Sequence, residues 1–342
     1  MSQLYLVVGI DTESDNQWDV RCREHPTFEN IIALPRLHER FVKYGARPTY
    51  LVTYPVVATP AAAEVVAGLQ ARGDCEIGAH HHAWETPPCA PADVHRHGYA
   101  SSLPVDQYER QLQRLTEAIE STVGRPPVSY RSGRFGFSAA HVSALERLGY
   151  RVESSVAPLF DESHKGGPDF VGATLRPYYL AYDDARVPGS SSVLEVPVSA
   201  ALSRRVPAWV EHAYAKAPSP YLTKRVLRAL RLARMIWLRP SYSSLDDMRA
   251  LARRIERESI GVLNVLFHSS EAIVGGSPYN RSEAELDGFF DTLESFLAFA
   301  TEELDAVPLT FSEFQAAWCA PRSDRRAEAR TPRRPPGVAV GA

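Results

Sequence analysis

The sequence predicts an α/β fold built on a parallel sheet, and three observations carry that expectation. Leu4 to Ile10 is a nearly unbroken apolar run rich in β-formers, the pattern of a strand buried on both faces. Strand-length apolar runs then alternate with segments of helical spacing along most of the chain. Several of these runs stop abruptly in charged or imidazole side chains, and in α/β architectures the carboxyl ends of strands are where active sites collect.

The first strand ends at Asp11-Thr12-Glu13-Ser14-Asp15, and acidic residues at that position are not core residues. A helix over Ile31 to Tyr44 follows, with apolar residues at Ile32, Leu34, Leu37 and Phe41 and Gly45 as its C-cap. Pro48 to Pro55 reads as a second strand and Ala61 to Gln70 as a second helix, which delivers the chain to Asp74-Cys75-Glu76-Ile77-Gly78-Ala79-His80-His81-His82. In a strand, period-two geometry puts His80 and His82 on one face and His81 on the other, so two imidazoles converge on one ion. Two histidines and a carboxylate make a common open zinc site.

Beyond Trp84, residues 85–99 form a long loop that carries His95 and His97, and Val105 to Val123 is an amphipathic helix closed by Gly124. Val128-Ser129-Tyr130 leads into Arg131-Ser132-Gly133-Arg134-Phe135, where glycine lets backbone approach a ligand and a following helix N-terminus favours an anion. A helix over Ala139 to Leu148 and a strand from Gly149 follow; residues 157–192 read as an irregular excursion, and Leu194 to Val198 returns to the sheet. A helical insertion is expected around 205–240, its second part, Thr223 to Trp237, basic and amphipathic, which suits a solvated cap first and contact with a membrane or an acidic partner second. After a helix over Leu245 to Arg257, the strand Gly261 to Phe267 ends in His268-Ser269-Ser270-Glu271, the same arrangement as at Asp11 and His80. A long helix over Glu283 to Leu304, a strand at Val307 to Phe311 and a short helix from Ser312 complete the pattern.

At 342 residues and 44% hydrophobic content the chain can bury a sizeable core. A single domain over residues 1–320 is expected, with a disordered Arg- and Pro-rich tail at 321–342. A net charge of −3 advertises neither nucleic acid nor an anionic membrane as partner. No run resembles a transmembrane span or a secretion signal, so a cytoplasmic address is the expectation. Cys22, Cys75, Cys89 and Cys319 lack the spacing of a disulfide framework or zinc knuckle.

Four strand ends thus carry polar clusters, Asp11/Glu13, His80/His82, Arg131 to Arg134, and His268. In this order, with Glu-Ile-Gly-x-His, an arginine motif after Gly-Arg-Pro-Pro, Leu-Gly-Tyr and a late Leu-x-His, the chain resembles the polysaccharide deacetylase (NodB-homology, carbohydrate esterase family 4) superfamily over residues 4 to 315, closest to its WalW-like branch. The resemblance implies a distorted (β/α) barrel and a divalent metal ion, Zn2+ first among the choices. It implies Asp11 as catalytic base, Arg131 as the partner that holds it ionised, and His268 as general acid, with Glu153 the positional candidate for its orienting carboxylate.

In the family the metal carboxylate follows the base directly, where this chain has Thr12; Glu13 takes that role. The second metal histidine normally follows four residues after the first, where Trp84 stands here, and His82 replaces it beside His80. The backbone near Arg134 corresponds to the oxyanion donor, and Trp84 and Phe135, with Tyr99 and Phe137, are candidates to line a sugar subsite. The implied reaction is metal-dependent removal of an N-acetyl group from a carbohydrate. Another hydrolase on the same barrel, a glycoside hydrolase or non-sugar amidase, and a catalytically silent binding protein are the alternatives. The sequence leaves the oligomeric state open.

Overall fold

A computed structural model describes residues 3–90, 98–216 and 234–319. In chain order its strands are β1 (Tyr5–Thr12), β2 (Pro48–Val52), β3 (Glu76–His81), β4 (Ser129–Ser132), β5 (Val152–Glu153), β6 (Tyr178–Tyr179), β7 (Leu194–Glu195), β8 (Ala200–Leu202), β9 (Met235–Trp237), β10 (Val262–His268) and β11 (Val307–Pro308). Its helices are α1 (Val20–Glu24), α2 (Glu29–Lys43), α3 (Tyr54–Ala58), α4 (Pro60–Arg72), α5 (Val105–Val123), α6 (Val142–Arg147), α7 (Ala208–Lys216), α8 (Leu245–Arg257), α9 (Glu283–Ala298) and α10 (Phe311–Cys319).

The main sheet runs β10-β1-β2-β3-β4-β5-β7-β6, with β11 added beside β1. All pairings in it are parallel except that of β6 with β7. The sheet curls into a half-barrel whose far sides are tied by side chain as well as backbone. Asn264 of β10 donates its amide to the carbonyls of Val196 and Pro197, at 2.9 and 3.2 Å, just beyond β7. Leu238 N–H donates to Ser199 at 2.9 Å, and Leu266 N–H to Leu238 at 3.0 Å.

Because side chains alternate along a strand, each strand divides its residues between the curl's inside and its outside. Tyr5 and Val7 of β1 pack inside with Leu51, Val152, Leu194, Val196 and Val262, closed off by Phe311 and Phe314 of α10. Leu6, Val8 and Ile10 face outward into the layer formed with Leu34, Leu37 and Phe41 of α2 and with Leu112, Leu115 and Ile119 of α5. Burying both faces explains why β1 reads as a continuous apolar run rather than an alternating one. Continuing the inside set of β1 by twos gives Gly9, Asp11 and Glu13; the apolar lining of the lower curl becomes polar at its upper rim.

Some elements differ from expectation. The second strand stops at Val52, and Pro55 sits in the first turn of the short helix α3, where its missing N–H costs no hydrogen bond. The helix expected over Glu283 to Leu304 ends at Ala298 and passes into a wider turn over Phe299–Glu303. The insertion at 205–240 is not wholly helical: within its described part, α7 is followed by β9, which pairs antiparallel with β8. Met235–Trp237 was expected in the basic helix; instead Ile236 and Trp237 bury their side chains from a strand, a half-buried β-ribbon being the cheaper way to place two bulky apolar residues beside Ala200 and Ala201. Residues 217–233, His95, His97 and the tail at 321–342 lie outside the described residues.

Candidate metal centre

Strand register brings the polar rim together. Asp11 is paired with His268 across β1 and β10, and His80 with Arg131 across β3 and β4. Every second residue of these strands points into the curl, so Asp11 and Glu13, His80 and His82, Arg131 and His268 converge there.

Glu13, His80 and His82 form a three-donor cluster with ligand atoms all within 4.8 Å of one another. His82 Nε2 lies 3.2 Å and His80 Nε2 3.8 Å from the same carboxylate oxygen, Glu13 Oε2. All three residues are buried. Each imidazole has a neighbour at its other nitrogen: His80 Nδ1 donates to the Arg131 carbonyl at 3.0 Å, and His82 Nδ1 lies 2.8 Å from Glu85 Oε1 as an ion-pair contact without hydrogen-bond geometry. Both Nε2 atoms face inward, and at His80 the carbonyl behind the ring fixes the tautomer that a metal-binding histidine needs.

Charge fits a cation equally. Burial pulls His80 down to about 4, so the ring is neutral with its Nε2 lone pair available. Burial acts in the same sense on His82, but Glu85 and Glu13 outweigh it and lift that ring to about 9. A positive charge is therefore favoured between these two carboxylates, and a proton is the minimal form of it. Glu13 itself would be raised by burial, yet the surrounding histidines bring it below its ordinary value. Two histidines with one carboxylate are a donor set that can hold a divalent cation.

Thr12 and His81 face the other way. The Thr12 hydroxyl donates to Ile10 O at 2.9 Å, and His81 Nε2 lies 2.8 Å from Gln111 Oε1 with its ring against Tyr108. Gly133 is the floor under His82: a Cβ built there would stand 2.0 Å from His82 Cδ2.

Asp11 Oδ1 accepts from Arg131 Nη1 at 2.7 Å. Burial alone would raise Asp11, but Arg131, then His80 and His268, hold it down at about 2. Arg131 is fully buried and also donates to Ser154 O at 2.7 Å, Ser154 Oγ at 3.1 Å and Gly9 O at 3.2 Å. Gly9 makes room for it, since a Cβ there would lie 2.6 Å from Arg131 Nη2.

His268 Nε2 is 3.8 Å from Asp11 Oδ2, while its Nδ1 is 2.8 Å from Glu271 Oε1. Glu271 also accepts from the His268 backbone N–H at 2.9 Å and from Arg239 Nη2 at 2.6 Å. Burial would raise Glu271; Arg239 and His268 instead hold it at about 2. The orienting carboxylate is thus Glu271 and not Glu153. Val152 belongs to the inside set, so Glu153 points outward, where it accepts from Ser155 N at 3.0 Å and faces the buried Glu195.

Sequence reasoning missed Glu85, Glu271 and Arg239. A signal for the first two was present: His82-x-x-Glu85 and His268-x-x-Glu271 repeat one spacing, each placing a carboxylate behind a rim histidine. Arg239 had none, because it arrives from the turn after β9.

The expected substrate residues divide. Trp84 is 4% exposed, stacked on His82 with ring centroids 4.1 Å apart, and so it packs behind the cluster rather than facing solvent. Arg134 and Phe135 both adopt positive φ, 54° and 58°, a conformation L-residues rarely hold and one that concentrates at functional sites. Arg134 donates to Tyr99 Oη at 3.0 Å, and the half-buried Phe135 stacks on Trp237.

No protein-family model matches the chain, and no curated protein does. Among solved structures, the chain is similar to a candidate glycoside hydrolase/deacetylase from Parabacteroides distasonis, with TM-score 0.63 at 14% identity over 93% of this chain and 71% of that one. It is similar to a candidate polysaccharide deacetylase from Mycobacterium smegmatis, with TM-score 0.54 at 16% identity over 98% and 96% of the two chains. A GH57 branching enzyme from Thermococcus kodakaraensis gives TM-score 0.52 at 13% identity over 93% and 72%. At such identities the likeness is one of fold.

Proposed function

We propose that this chain is a metal-dependent hydrolase that removes an N-acetyl group from a carbohydrate, in one NodB-type (β/α) barrel domain over residues 1–320. The observation that carries this reading is the convergence of His80 Nε2 and His82 Nε2 on Glu13 Oε2, beside an Asp11–Arg131 pair and an oriented His268. Fold likeness to the candidate polysaccharide deacetylase supports it, and that to the candidate glycoside hydrolase/deacetylase is compatible with it. The branching enzyme has a similar fold, so the site must discriminate. A histidine acid facing an arginine-held aspartate fits amide hydrolysis, in which an amine has to leave protonated, better than the paired carboxylates of glycoside hydrolysis.

Glu13, His80 and His82 would hold the ion, for which Zn2+ is the first choice. When bound, it supplies Lewis acidity, lowering the pKa of water and polarising the acetyl carbonyl. Asp11, kept ionised by Arg131, accepts the proton of the attacking water. His268 Nε2, facing the same space, delivers a proton to the departing amine while Glu271 holds its ring. The backbone N–H groups at the Arg134 turn serve as donors to the carbonyl oxygen as charge develops on it. A cytoplasmic address with a biosynthetic sugar precursor as substrate belongs to the same proposal.

The test is metal content together with product. Purified protein should carry close to one divalent ion per chain, lost in His80→Ala and His82→Ala but kept in Asp11→Asn. N-acetylated oligosaccharides should release acetate without new reducing ends. Protein that folds, retains no ion and accepts none on titration defeats the reading; reducing ends without acetate assign a glycosidase instead.

A further inference from the structure

We infer that Trp18 is the platform on which the sugar bearing the departing amine stacks, an inference that rests on the proposed hydrolysis and identifies its leaving-group side. With Trp84 buried behind His82, the rim needs another aromatic surface if it is to hold a pyranose ring. Trp18 is 38% exposed and lies against His268, ring centroids 4.9 Å apart at 70°. Tyr279 closes the corner, 5.7 Å from Trp18 at 89°, and carries the Arg239 guanidinium 4.9 Å from its own centroid. The uncovered aromatic surface is thereby next to the residue assigned to protonate the amine. Axial C–H groups of an equatorially substituted pyranose are a good match to the electron-rich face of an indole.

The loop that carries the ring is also anchored. Asn16, at φ 48°, donates its N–H to Gly276 O at 2.8 Å and so pins the Trp18 loop to the loop of Tyr279. Asp15 ties the same loop to the start of α2, accepting from Thr27 Oγ1 at 2.8 Å, Glu29 N at 2.9 Å and Asn30 N at 3.0 Å. Asn280 anchors the other side by donating to Glu271 O at 2.5 Å. A large exposed aromatic on an anchored loop binds with little ordering cost.

Glucosamine oligosaccharides of two to four units, already deacetylated, probe binding apart from turnover. They should change the intrinsic tryptophan emission of the wild-type protein. Trp18→Ala should abolish that change and weaken binding roughly tenfold, the scale of one aromatic contact. Trp18→Phe should recover most of the affinity. With N-acetylated oligosaccharides as substrate, the loss in Trp18→Ala should fall mainly on KM, because Glu271 and Arg239 hold His268 from its other side. Equal affinity and KM in Trp18→Ala and wild type overturn this inference and leave the deacetylase reading standing. Saccharide binding that depends on Trp18, without acetate release from any substrate, does the reverse. Absence of any saccharide binding overturns both.

Discussion

Gly133→Ala should disable the metal centre while leaving the chain folded. A Cβ at position 133 would meet His82 Cδ2 at 2.0 Å and Nε2 at 2.7 Å, where ordinary contact begins at 3.4 Å, so the ring has to retreat by about 1.4 Å. It has nowhere to go: Trp84 covers it at 4.1 Å between centroids, and Glu85 Oε1 stands 2.8 Å from its Nδ1. The backbone carbonyl of His81, 3.1 Å from the added methyl, blocks a compensating slide of residue 133. Metal–ligand distances tolerate shifts of only about 0.2 Å, so one ligand is lost outright. Affinity for Zn2+ should fall by at least about 100-fold, beyond what loss of an outer-shell partner costs. The strain should destabilise the fold by about 1–3 kcal/mol. Isothermal titration with Zn2+ reads the first effect and urea unfolding of the metal-free protein the second. Gly288→Ala, where an added Cβ has no neighbour within 4 Å on helix α9, is the control and should be neutral or slightly stabilising. Wild-type Zn2+ affinity in Gly133→Ala would falsify the assignment of His82 as a ligand.

Two further outcomes follow from the buried charges. Arg131→Met leaves Asp11 buried without its partner and should cost about 3–5 kcal/mol in urea unfolding, with much of the loss restored in the Asp11→Asn/Arg131→Met double variant; additive losses would show that Arg131 acts through its bonds to Ser154 and Gly9 instead. The second concerns pH. Asp11 and Glu271, both held at about 2 against ordinary values of 3.8 and 4.5, give stability that is full above pH 4.5 and is lost as pH falls toward 2. Glu195 works in the opposite sense. Burial, then the facing Glu153, raise it well above its ordinary 4.5, so it favours the fold in acid and opposes it once pH exceeds that value. Glu195→Gln, which keeps a donor toward Glu153 without a titrating proton, should raise Tm at pH 8 and leave it nearly the same at pH 4. An equal shift at both pH values contradicts a protonated Glu195.

Much of this arrangement was legible in the chain itself. The apolar run ending in Asp11, the His80-x-His82 spacing and the strand-helix alternation are local properties, set by the two-residue period of a strand and the burial of its two faces. Those rules suffice to send Glu13 with Asp11, and His82 with His80, to one side, and the α/β class with its polar rim followed from them. Tertiary structure decided the rest. Glu271 rather than Glu153 stands behind His268 because Val152 takes the inside position and turns its neighbour outward. Arg239 reaches the site only through the β8–β9 ribbon, whose antiparallel pairing no local pattern announced. Trp84 and Trp18, both aromatic residues near motif ends, differ in use because one is covered by the packing around His82 and the other is left open beside His268. Which face a residue takes is a short-range matter of strand geometry; what lies opposite that face depends on contacts between residues far apart in sequence, and these exist only once the sheet has curled.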